Sequence, residues 1–214
     1  RCGTPSRIWA LGHLATRRST MTATEGFKRH GDHSYIAQFA DSEKEVLLNL
    51  CEQIIELLAE RTDHGHDDPL AAMVGITSHD SPPEDDVLHR LLPNAYADSV
   101  DSSEFRRYTE STLRAKKQAH AVVMRIHLKS SEDGTIDLDH DNANAWLGAI
   151  NDIRLALGVR LKVESNSNEH LEILAPDDPL RGVYAVYTWL GWLQESLLSA
   201  LIDDADSKSQ PENS

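Results

Sequence analysis

Residues 141–158 read DNANAWLGAINDIRLALG. The large apolar side chains Trp146, Ile150, Ile153 and Leu157 are spaced 4, 3 and 4. Only an α-helix turns that spacing into one continuous face. Asp139 is placed to cap the first turn, and Gly158 to end the helix as its C′ residue. The opposite side carries Asn144, Gly148, Asn151, Asp152 and Leu155. A missing side chain at Gly148 lets another element come close, with the stretch 159–174 or the last helix as the expected neighbour. Asn151 and Asp152 are therefore expected to hydrogen-bond inside the fold. Arg154 is not one turn from Asp152 and needs a partner of its own.

The same period recurs along the chain. Ser42 opens a helix with a capping box to Glu45, and Leu47, Leu50, Cys51, Ile54, Ile55 and Leu58 form its stripe to about Arg61. Residues 62–101 are broken by Pro69, Pro82, Pro83 and Pro93, with short helices expected at PLAAMVGI and VLHRLL. Ser102 or Ser103 caps a long helix reaching Leu128. Its Phe105, Tyr108, Ala115, Ala119, Val122, Val123 and Ile126 are expected inward, and Arg106, Arg107, Arg114, Lys116, Lys117 and Arg125 outward. Asp178 and Pro179 start a last helix as cap and first residue.

Two β-hairpins are expected beside these helices. One spans 27–39 around Gly31-Asp32 as a type II′ turn, and the other pairs VRLKV at 159–163 with HLEIL at 170–174. TIDL at 135–138 reads as a short strand. The class is mainly α: one compact helical domain of about five helices with two small β-hairpins.

Residues 24–202 form that single domain. Residues 1–23 read as a disordered tail or as sequence upstream of a start at Met21, and 203–214 as a disordered acidic tail. The apolar span 182–202 is long enough for a bilayer, but Gln194 and Glu195 interrupt it and no basic cluster flanks it. A buried bundle helix, and no membrane contact, is the reading.

The net charge of −14 is uneven. Residues 41–104 carry −13 and 131–214 carry −11, whereas 105–130 carry +6. An acidic surface repels nucleic acid, because phosphate contacts need Lys and Arg. Arg107, Arg114 and Lys117 on the basic helix are the candidate contact surface, expected to meet a protein. Direct DNA binding through 105–128 is the alternative, though no helix-turn-helix pair is visible there.

Chemistry-bearing motifs are sparse. No G-x-S-x-G, P-loop, G-x-G-x-x-G or H-E-x-x-H occurs, so neither catalysis nor a cofactor is expected. His64 and His66, among Asp63, Asp67 and Asp68, are the alternative small metal site. Asn151 and Asp152 are the alternative amide–carboxylate pair of a small enzyme. Cys51 lies on the inward stripe of its helix, where burial raises a thiol's pKa and makes it inert. It is nonetheless the one redox candidate outside the N-terminal extension, which holds Cys2. Two cysteines make no disulfide framework, so a reducing cytoplasm is the default.

ANAWLGAINDIRLALGVRL, with VYTWLGWLQESLL downstream, resembles an actinobacterial domain-of-unknown-function family over roughly residues 24–202. Some members are oxidative stress transcriptional regulators of the AosR type. The family motif falls on Ala145, Trp146, Leu147, Asn151, Asp152, Arg154, Leu155, Leu157 and Gly158. The resemblance implies regulation without catalysis, action with a sigma factor or RNA polymerase, and an oxidant trigger in closely spaced cysteines. This sequence departs from the last point, because Cys2 and Cys51 are far apart. The expected protein is thus a cytoplasmic, non-enzymatic regulator with a protein partner and possible self-association as a homodimer.

Overall fold

A computed structural model describes residues 25–31, 34–59, 83–96, 98–163, 174–175 and 177–209. In chain order these hold β1 (Lys28–His30), β2 (Ser34–Gln38), α1 (Asp41–Ala59), α2 (Asp86–Leu91), α3 (Ser99–Ser130), β3 (Thr135–Leu138), α4 (His140–Leu161) and α5 (Pro179–Ser209). Five helices around a small sheet make the mainly α architecture expected from periodicity.

The hairpin expected at 27–39 forms as β1 and β2, and β3 joins it in one three-stranded antiparallel sheet of order β1-β2-β3, while residues 164–173 of the second expected hairpin lie outside the described residues. His30 pairs with Ser34, so three residues and not two connect the first strands, and Gly31 takes a left-handed φ of 65°. TIDL forms β3 against β2, with Ala37 opposite Ile136. Gly134, at φ 85°, lies so close to the Phe39 carbonyl that a Cβ there would sit 2.1 Å from its oxygen. The stretch 159–161 is helix, not strand. Leu161 falls one turn beyond Leu157 on the buried stripe, and that burial overrides the strand-like alternation. Gly158 is accordingly helix interior. Lys162 caps α4 in the left-handed region at φ 52°, with the Gly158 and Val159 carbonyls accepting the final bonds.

Helix starts follow from local chemistry. Asp139 accepts from Asn142 N at 2.8 Å, as its position indicates. Asp178 accepts from Leu180 N at 2.8 Å ahead of Pro179. At α1 the reciprocal cap lies two residues earlier than expected: the buried Glu43 carboxylate takes the Ala40 N–H at 2.8 Å. α5 continues through Ser209, beyond the boundary expected at 203.

α4 is the central helix, packed by α3, α5, α2 and α1. Trp146, Ile150, Ile153 and Leu157 are all fully buried. Trp146 anchors an aromatic cluster, with ring centroids 5.5 Å from Phe27 and 6.0 Å from Phe39, and Trp189 meets Phe39 edge-on. The sheet is tied to α5 where the Phe27 N–H donates to Ser196 Oγ at 3.0 Å. Residues 182–202 lie in α5 and bury Val183, Leu190, Leu193, Leu197 and Ala200 against the domain. Among the described residues no helix is long and apolar enough to cross a membrane.

Candidate functional site

The phase of α3 is rotated from the expected one. Phe105, Tyr108 and Ile126 are exposed, while Arg106 and Glu110 are buried at 5% and 3%. The inward stripe runs Arg106, Glu110, Arg114, Lys117, Ala121, Met124, Leu128. Two overlapping stripes of similar period share this helix, and the fold selects the one whose charges find partners. Arg106 donates to Glu110 at 2.6 Å, to the Leu92 carbonyl at 3.2 Å and to Asn94 Oδ1 at 2.7 Å. Arg114 donates to the other Glu110 oxygen at 2.9 Å and to the Leu58 carbonyl at 2.9 Å. Gln118 donates to the Ile55 carbonyl, and Arg114 takes up the Leu58 carbonyl that the end of α1 leaves open.

The next turn of α3 reaches α4. Lys117 donates to Asp152 at 2.5 Å, with side chains 16% and 3% exposed. Desolvation raises the Asp152 pKa above the usual carboxylate range, and Lys117 opposes that rise. His120 lies against Gly148, where a Cβ would sit 2.2 Å from Nδ1. The missing side chain therefore admits a His120 ring from α3, not the neighbours expected. Two turns on, Trp146 Nε1–H donates to His127 Nδ1 at 3.0 Å. Burial lowers the pKa of both histidines.

The far side of α4 holds Arg154. Its Nη1 donates to Gln194 Oε1 at 2.6 Å, and its guanidinium lies 5.1 Å from the Tyr187 ring centroid. Gly191 supplies the bed, since a Cβ there would sit 3.3 Å from Nη2. Nε is covered and makes no hydrogen bond. Arg154, Tyr184, Tyr187, Thr188, Trp192, Gln194, Glu195 and Leu198 line an open groove of about 660 Å³ around this group.

The family-motif residues thus separate into three settings. Trp146 is core, Asp152 is an internal ion pair, and Arg154 edges the groove. Asn151 is exposed on the turn of α4 that buries Asp152, and its side chain hydrogen-bonds the Asp152 carboxylate. Of the expected contact surface, only Arg107 is exposed. Arg114 and Lys117 are engaged inside the fold, so they cannot greet a partner or DNA phosphates from this conformation. That withdraws two of the six Lys and Arg side chains from the alternative of direct DNA binding through 105–128. Cys51 is fully buried, and desolvation pushes its thiol pKa up to about 12, in keeping with an inert core residue. His64 and His66 lie outside the described residues. Among the described residues no group of three or more His, Cys, Asp or Glu could hold a metal ion.

Periodicity gave no sign of Gln194, Tyr187 and Gly191 around Arg154, since they come from another helix. The Arg106–Glu110–Arg114 ladder was visible as two successive i,i+4 opposite-charge pairs.

Comparison with known proteins agrees with the motif. The oxidative stress regulator AosR of Mycobacterium tuberculosis (strain ATCC 25618 / H37Rv) is 34% identical over 216 residues, covering 94% of this chain and 95% of the relative. The protein of the same name from Mycobacterium bovis gives the same figures. A putative oxidative stress regulator AosR of Mycobacterium leprae is 34% identical over 178 residues, 76% of this chain and 80% of the relative. No solved structure matches. The model of the domain of unknown function DUF2017 matches residues 21–201, and on that match and these relatives the chain belongs to the DUF2017 family.

Proposed function

We propose that this chain is a non-catalytic cytoplasmic regulator of the oxidative stress response that works through protein contact, with a sigma factor or RNA polymerase as its partner. The observation that carries the reading is the 34% identity, over 94% of the chain, to proteins named oxidative stress regulators. The internal pairing of Arg114 and Lys117 favours a protein partner over direct DNA contact. The tagged full chain is the bait in a pull-down with RNA polymerase and sigma factors, under reducing and oxidising conditions. Recovery of a sigma factor or polymerase subunit is expected. Its absence in both conditions retires the transcription contact. Unchanged peroxide sensitivity in a strain lacking the protein retires the regulatory role itself.

Cys51 is not the trigger in this reading. Its burial keeps the thiolate, the form that oxidants attack, out of reach. Cys51→Ala is expected to leave the peroxide response unchanged.

A further inference from the structure

We propose that the Arg154 groove is a self-association surface, in which α5 of one copy packs antiparallel on α5 of a second. The groove carries both halves of a charge pair. On one side, Arg154 edges the groove with Nη1 committed to the neutral Gln194 and with no carboxylate partner among the described residues. On the other, Glu195 is exposed with no partner among the described residues. An isologous interface needs a donor and its acceptor on the same patch, because the twofold operation brings each to the other.

The positions along α5 meet that need. The guanidinium rests between Tyr187 and Gly191, about one turn N-terminal of Trp192, and Glu195 lies about one turn C-terminal of it. A twofold axis beside Trp192 therefore sets each Arg154 against Glu195 of the second copy, twice. Trp192, Leu198 and Ile202 share this outward face and are 44%, 47% and 51% exposed. In the same antiparallel arrangement Leu198 and Ile202 fall against the groove edge formed by Tyr184 and Tyr187 of the second copy. The net charge of −14 repels two copies at long range, so the contact rests on these short-range pairs and is concentration-dependent. The inference is independent of which protein the regulator contacts.

Sedimentation equilibrium of the full chain across a concentration series tests it, with circular dichroism confirming that each variant folds. Reversible dimer formation is expected. Glu195→Arg and Arg154→Glu should each weaken it by roughly a hundredfold or more, since two pairs become repulsive at once. An equimolar mixture of the two variants should regain the dimer, because both contacts are again opposite in sign, one as in the original chain and one reversed. If Arg154→Glu fails to fold, Glu195→Arg and Trp192→Glu carry the test, both changing exposed side chains. A chain that stays monomeric throughout overturns the proposal, as does a dimer that survives these substitutions. The same holds if the folded variants do not pair on mixing.

Discussion

α3 and α4 pack against each other and bury stripes of opposite chemistry. α4 presents Trp146, Ile150, Ile153 and Leu157, which need only to leave water. α3 presents Arg106, Glu110, Arg114 and Lys117 before its stripe turns apolar at Ala121, Met124 and Leu128. An apolar face tolerates a range of neighbours. A charged one is stable only where specific carbonyls and carboxylates receive it. The Leu92 and Leu58 carbonyls, Asn94 and Asp152 are those receivers, and they come from the α2–α3 connection, α1 and α4. The polar half of α3 thus fixes its register on three neighbours, while the apolar half supplies burial.

The contrast breaks most sharply at Glu110. Glu110→Ala leaves the buried Arg106 and the largely buried Arg114 without their carboxylate and is expected to cost about 3–5 kcal/mol. Trp146→Ala on the apolar face should cost a comparable ~3–5 kcal/mol by cavity formation. Chemical denaturation measures both. A Glu110→Ala cost below about 1 kcal/mol would mean the ladder is solvated, not structural.

Lys117 and Asp152 distinguish the two chemistries at one contact. Lys117→Met alone strands a carboxylate whose side chain is only 3% exposed, and should cost about 3 kcal/mol. Adding Asp152→Leu should recover most of that loss or exceed it, because an apolar pair carries no desolvation penalty. A double variant no more stable than the single one would show that the site needs polarity for another reason.

How legible each helix was depends on the same difference. The inward face of α4 was readable residue by residue, since its period and its polarity agree. α3 was read in the wrong phase. Phe105, Tyr108 and Ile126 imitate an inward stripe, and apart from Glu110 the partners that hold Arg106 and Arg114 inside lie 12 to 56 residues away in sequence. A single helix cannot reveal carbonyls belonging to another. The same limit concealed the setting of Arg154, because Tyr187 and Gln194 belong to α5. Local rules did better at helix starts, where Asp139 and Asp178 cap as their positions indicate. They failed at 159–163, where alternation suits a strand but Leu161 continues the buried stripe.

Gly148 probes how closely the two helices are fitted. A methyl group would sit 2.2 Å from His120 Nδ1, so the ring must leave its place between α3 and α4. Gly148→Ala is expected to cost about 1–3 kcal/mol by overpacking, outweighing the gain in helix propensity. Gly191→Ala, where the nearest Arg154 atom would be 3.3 Å away at the end of a flexible chain, should cost much less. Equal effects at the two glycines would contradict the tight α3–α4 contact.

The smallest effect is a pH dependence at the same interface. His127 accepts the Trp146 N–H through a lone pair that protonation removes, and burial already lowers its pKa from 6.5. His120 is lowered as well, by burial first and then by Lys116. A histidine whose folded pKa is depressed holds fewer protons folded than unfolded. Its stabilising contribution is complete above pH 6.5 and falls as pH drops through the folded value. Asp152 acts in the opposite direction at lower pH. Its folded pKa is raised, so its contribution is complete below 3.8 and is lost as pH rises through the folded value. Stability should therefore decline between about pH 7 and pH 5, where the histidines titrate. Denaturant midpoints across that range measure the decline. His127→Asn, which keeps an acceptor but does not titrate, should flatten the profile. A profile equally steep in that variant would assign the pH dependence to His120 and leave the Trp146 contact indifferent to protonation.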